Sequence, residues 1–155
     1  MTIIEFIGQL SIGLVMIGAT IGSAVGIGAV GQAAAGAWEK EAREGKALNF
    51  SYIILMGMPL SQTIYGFILV LVGLTPLVTG DNPVTDVHAG TLLGVGLAGG
   101  SAEFFSAWMQ GLIGAAACRA LSEGGGKGLV FMIIAMGIVE TIGLFGFVFL
   151  LMVLP

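Results

Sequence analysis

Charge is scarce in this sequence and cysteine nearly absent. Of 155 residues, five are Lys or Arg, nine are Asp or Glu, and there is one His and one Cys. With 57% hydrophobic residues against 9% charged and a mean hydropathy of +1.06, a soluble domain of this length could not hide its apolar surface in one core. Lipid must cover the remainder. The lone Cys118 excludes an internal disulfide and any cysteine-based metal motif, and reads as a small helix-packing residue. The segment Met1-Thr-Ile-Ile-Glu5 has no positive n-region, and the apolar stretch behind it is too long for a signal h-region, so the first helix is expected to stay uncleaved. Gly26, Gly28 and Gly31 match GxGxxG literally, but no strand precedes them and no βαβ unit surrounds them, so helix packing is the better reading. With no nucleotide motif elsewhere, the chain is not expected to be a catalytic ATPase.

What is present is four apolar runs, 6–37, 50–78, 89–121 and 128–154, each longer than the roughly 20 residues a helix needs to cross the hydrocarbon layer. They are continuously apolar, whereas barrel strands alternate, so the fold class is all-α integral membrane with four transmembrane helices. Their surplus length implies helices that tilt or project beyond the bilayer. The cations fall in two places, Lys40, Arg43 and Lys46 between the first two runs and Arg119 and Lys127 around the link between the last two. The positive-inside rule makes the links 38–49 and 122–127 cytoplasmic and puts both termini on the other side. That other side holds Glu5, Asp81, Asp86 and His88; His88 reads as a solvated loop residue rather than a ligand or pH sensor.

The second and fourth runs repeat one another. An offset of 80 pairs Ile53, Ile54, Met56, Gly57, Gly66, Phe67, Leu71 and Leu74 with identical residues, from Ile133 to Leu154. The unit is a helical hairpin used twice in the same orientation, 1–79 and 80–155, unlike the inverted repeats common in secondary transporters. Small residues recur every fourth position in the first run (Gly18, Gly22, Gly26) and the third (Gly90, Gly94, Ala98, Ala102, Ser106, then Gly114 and Cys118), where they allow close backbone approach. The first and third helices are therefore expected to form an inner layer, and the bulkier second and fourth an outer one.

Two carboxylates, Glu103 and Glu140, fall inside predicted spans. An ionised side chain at mid-membrane costs about 2.5–3.5 kcal/mol on insertion scales, and no Lys or Arg accompanies them within the membrane. A proton or a metal cation is the expected partner. Glu140 lies halfway along its run, and its repeat counterpart is Leu60, which leaves one acidic site per chain there. At matching depth stand Ser61, Gln62 and Tyr65 behind the helix-weakening Pro59, and Gln110 on the third run. These hard oxygen donors suit a hard cation, whereas a proton would need only Glu140; the surplus favours Na⁺ over H⁺.

Pro59, Ser61, Gln62, Tyr65, Gly66 and Phe67, then Gln110 before a Gly/Ala-rich stretch, then Val139, Glu140, Thr141, Gly146 and Phe147, resemble the membrane-rotor subunit of V-type rotary ATPases, the K subunit or proteolipid, along essentially the whole chain. The resemblance implies a ring of identical subunits that carries Na⁺ past a stator subunit supplying an arginine. It also implies an ion held by Ser61, Gln62, Gln110, Glu140 and the Met58 backbone carbonyl, with Tyr65 hydrogen-bonded to Glu140. The charged residues of 38–47 are a candidate docking surface for a central stalk, or a solvated loop. Lipid is the other partner, and nucleic acid is not one. Glu103 departs from the family's pattern; a structural role, a place at the ring lumen and a transport role are its readings. The rival functions are a stand-alone small cation channel or secondary transporter with Glu140 as its ion site, and a purely structural tetraspan protein.

Overall fold

The computed structural model describes residues 2–155, and among them there is no strand. Four helical rods follow one another, α1 Ile3–Arg43, α2 Ser51–Thr79, α3 Ala89–Glu123 and α4 Leu129–Val153. A capping box starts α1: the Thr2 hydroxyl accepts from the Glu5 N–H at 3.2 Å while the Glu5 carboxylate accepts from the Thr2 N–H at 2.6 Å.

The helix runs past the apolar limit at 37 to Arg43, so much of the expected charged link is helical. Glu39, Lys40, Glu41 and Arg43 are competent helix formers, Glu39 and Arg43 pair across one turn, and Gly45 at φ +67° takes the chain away. Hydropathy marks where a helix leaves lipid, not where it stops. Glu41, expected among solvated charges, is buried, where its carboxylate accepts from the Tyr52 hydroxyl and, at 2.9 Å, from the Asn49 N–H. The Trp38 indole donates to the Asn49 carbonyl at 3.0 Å. This end of the first hairpin is a hydrogen-bonded staple. Outside it, Lys46 lies 2.5 Å from Glu44 and, by that hydrogen bond first, holds the exposed Glu44 carboxyl below its usual range.

Two irregular turns interrupt α2. Pro59 sits in a 3₁₀ turn over Met58–Leu60, and Leu69–Leu74 is wound as a π-helix whose Val70 carbonyl accepts from both the N–H and the hydroxyl of Thr75. Pro76, lacking an N–H, cannot serve the carbonyl one turn behind it. The wider turn there re-satisfies the backbone.

The most extensive interface joins α1 to α3, which run in the same direction. A Cβ at Gly18, Gly22 or Gly26 would stand against the backbone of Gly100, Phe104 or Ala107 in turn, and one at Gly96 or Gly111 against Ser11 or Gly26. Parallel packing of the first helices of two hairpins follows from same-sense duplication. The small-residue stripe of α3 packs as expected at Gly114 and Cys118, beside Val30, but a Cβ at Gly90 or Gly94 would meet nothing within 4 Å, and there Gly96, Gly100, Ala107 and Gly111 make the seam instead. Small residues occupy more than one face of α3, so spacing by itself could not choose between them.

By length and composition, α1, α2 and α4 are apolar enough to cross a membrane. In α3, Glu103, Gln110 and the glycines dilute the hydropathy. Its 35 residues nevertheless lie along α1 and inside the other helices. Apolar clusters fill both ends of the bundle, Val30, Tyr52, Leu55, Cys118, Leu121 and Met136 at one and Val15, Leu69, Leu74, Leu92 and Val95 at the other. Between them is a buried polar band of Ser23, Gln62, Glu103, Ser106 and Gln110. The outward face of α4 is an exposed stripe of Phe131, Ile134, Ile138, Ile142, Phe145 and Phe149, recurring at helical spacing as lipid-facing or subunit-facing surface should.

Candidate ion-binding site

Glu140 stands at mid-length of α4 and is half-buried, in the groove between α2 and α4. One carboxylate oxygen accepts from the Tyr65 hydroxyl at 3.0 Å and the other from the Gln110 side-chain amide at 3.4 Å. The Tyr65 ring stacks on Phe147 with centroids 6.0 Å apart and planes 9° from parallel, which fixes its direction. The same Gln110 amide also donates to the Met136 carbonyl, at 3.3 Å, one turn before Glu140. Its own side-chain carbonyl oxygen is buried and has no protein partner.

The irregular start of α2 delivers the remaining oxygens. At the 3₁₀ turn the Ser61 hydroxyl donates to the Met58 carbonyl at 2.9 Å and is 3.2 Å from the Gln62 side-chain oxygen, to which it can alternatively donate. The Gln62 amide donates to the Ser106 hydroxyl at 3.0 Å, and Ser106 donates at 3.0 Å to the carbonyl of Val139, the residue before Glu140. The expected residues thus fall into two connected groups. Tyr65 and Gln110 touch the carboxylate itself; Met58, Ser61 and Gln62 form a chain that reaches the backbone beside it through Ser106.

Ser106 entered the sequence reading only as a small packing residue. Its spacing of four from Gln110 puts both on one face of α3 and could have pointed to it. The Thr63 hydroxyl, likewise unremarked, lies 2.8 Å from the Ser23 hydroxyl and 3.2 Å from the Ala19 carbonyl, to one of which its single hydrogen is donated, pinning the site segment of α2 to α1. Glu103 is fully buried inside the protomer between α3 and α4, so a place at the ring lumen is ruled out for its side chain.

A half-buried carboxylate held only by neutral donors, at the middle of apolar helices, is the arrangement expected of a membrane protein that carries a cation. The family model for the C subunit of ATP synthase matches the chain twice, over residues 10–72 and 93–153, and the chain belongs to that family. It is a non-catalytic, ion-translocating component of the rotor ring, which works with a stator subunit in the membrane. The two matches fall one on each hairpin, in keeping with duplication. Comparison with curated proteins finds no match.

Proposed function

We propose that the chain is the rotor subunit of a V-type rotary ATPase and that its cargo is Na⁺, bound by Glu140, Gln62, Ser61, Gln110 and the Met58 carbonyl, with Tyr65 steadying the carboxylate. The observation that carries the choice of ion is the buried, unpartnered side-chain oxygen of Gln110, whose amide already holds Glu140. A proton on Glu140 can be donated to one acceptor only, whereas this oxygen and those of Met58, Ser61 and Gln62 make a larger set. A cation shared between it and the carboxylate satisfies both. Met58, Ser61 and Gln62 supply further hard oxygens from the 3₁₀ turn. The V-type assignment is supported by two hairpins in one chain with a single acidic residue at the matched positions, since Leu60 stands where the second hairpin has Glu140.

Each Glu140 would take Na⁺ from one half-channel of the stator, travel around the ring neutralised, and release the ion near a stator arginine into the other. Tyr65 and Gln110 hold the carboxylate in one geometry between exchanges. The termini would face away from the cytoplasm. The staple around Glu41 and the helix end at Lys40 and Arg43 would present a rigid surface to the central stalk. Carbodiimide labelling of Glu140 at fixed pH tests the reading, because Na⁺ in the site excludes the protonated carboxyl that the reagent attacks. Labelling that falls as Na⁺ is added supports a sodium carrier; labelling indifferent to Na⁺ would make the cargo H⁺.

A further inference from the structure

Na⁺ held by Gln62 must meet the oxygen end of the side-chain amide, because the N–H₂ end carries the wrong sign of partial charge. The two ends are nearly alike in size and shape, so packing does not choose between them; hydrogen bonding does. Gln62 lies just after the 3₁₀ turn of α2 and is 0% exposed, so each end must find its partner inside the protein.

The nitrogen end finds it on another helix. It donates to the Ser106 hydroxyl oxygen at 3.0 Å, and Ser106 gives its own single hydrogen to the Val139 carbonyl at 3.0 Å. A carbonyl only accepts, so this bond commits the serine hydrogen to α4 and turns the hydroxyl toward Gln62 as an acceptor. The oxygen end of Gln62 is then left 3.2 Å from the Ser61 hydroxyl, beside the Met58 carbonyl that Ser61 also touches. Gly143 makes the meeting of three helices possible: a Cβ there would stand 3.1 Å from the Ser106 hydroxyl and 3.2 Å from the Gln62 Cγ.

We propose that Ser106 is a positioning residue for the ion. It accepts from the nitrogen end of Gln62 in the one orientation that turns the oxygen end to Na⁺, and so raises Na⁺ affinity without touching either the ion or the Glu140 carboxylate. Without that acceptor, each Na⁺ bound through Gln62 would leave a buried N–H₂ unpaired; in the ion-free site the amide could turn over and donate to Ser61 instead. The penalty therefore falls on the loaded state. A proton on Glu140 makes no demand on the direction of Gln62, so proton affinity is indifferent to Ser106. The proposal rests on the reading of the chain as a sodium carrier.

The experiment is carbodiimide labelling of the purified ring, located to Glu140 by peptide mass, in two series: rising Na⁺ at fixed pH, and varied pH in sodium-free buffer. Ser106→Ala should raise the Na⁺ concentration giving half-protection by about tenfold, as expected for one buried donor left unpaired. The pH of half-labelling and the assembly of the ring should stay at their wild-type values. Unchanged half-protection by Na⁺ overturns the proposal. So does an equal loss in both series, which is what general loosening around Glu140 would produce. Ser106→Cys, closer in shape to serine but a weak acceptor, should shift the Na⁺ series in the same direction and gives the same readout where the alanine ring fails to assemble. Labelling of the wild-type ring that ignores Na⁺ overturns the sodium reading itself, and the role of Ser106 with it.

Discussion

Tyr65 reaches Glu140 from a different helix, so its hydroxyl reports on how the carboxylate is held rather than on how α4 folds. A hydrogen bond to a charged group is worth about 1.5–3 kcal/mol. Tyr65→Phe keeps the stacking on Phe147 and removes only that bond. It should raise the Na⁺ concentration giving half-protection from carbodiimide by about tenfold or more while ring assembly on a denaturing gel is unchanged. Gln110 and Tyr65 were legible in the sequence as polar residues at the depth of Glu140, and that Tyr65 bonds the carboxylate was what the family resemblance implied. Ser106 was not legible in this way. A serine in a stripe of glycine and alanine looks like another small residue until α4 brings the Val139 carbonyl over it. The orientation of Glu103 was hidden for the same reason, since an isolated helix does not say which neighbour will cover which face.

Among the elements, the α1–α3 seam is the part with least room. Any side chain at Gly22 would enter the backbone of Phe104, and overpacking of this kind typically costs about 1–3 kcal/mol. Gly22→Val should lower the temperature at which the purified ring dissociates, and it should do so even with Na⁺ saturating. The staple at the far end of the first hairpin makes a contrasting prediction. Glu41→Ala strips the Tyr52 hydroxyl and the Asn49 N–H of their shared acceptor, at about 1–3 kcal/mol for buried groups left unpaired. Thermal melting of the ring should fall while Na⁺ protection of Glu140, in the middle of the bundle, stays at the wild-type value. Apolar length and the 80-residue offset made the four rods readable within a few residues, apart from the helical extension to Arg43. The π turn over Leu69–Leu74 and the true frame of the α3 seam depend on contacts between helices, which no single-helix periodicity encodes.

At the scale of the whole molecule, one protomer leaves a continuous apolar flank on α4, with Phe131, Ile138 and Phe149 each more than half exposed. Only lipid and neighbouring copies can cover such a surface in a membrane. Native mass spectrometry of the detergent-extracted protein should therefore show a closed assembly of many copies; a stable monomer that transports unaided would return the chain to the class of small channels or secondary transporters. Leu60, standing where the second hairpin has Glu140, carries a mechanical consequence. The circumference of a ring is divided among its helices, so one working carboxylate for every four helices sets a wide tooth pitch. Each tooth sweeps a large arc per ion, and fewer ions pass per revolution than in a wheel of equal girth with an acidic residue on every hairpin. That is a low gear, in which each unit of rotation draws on little ion traffic.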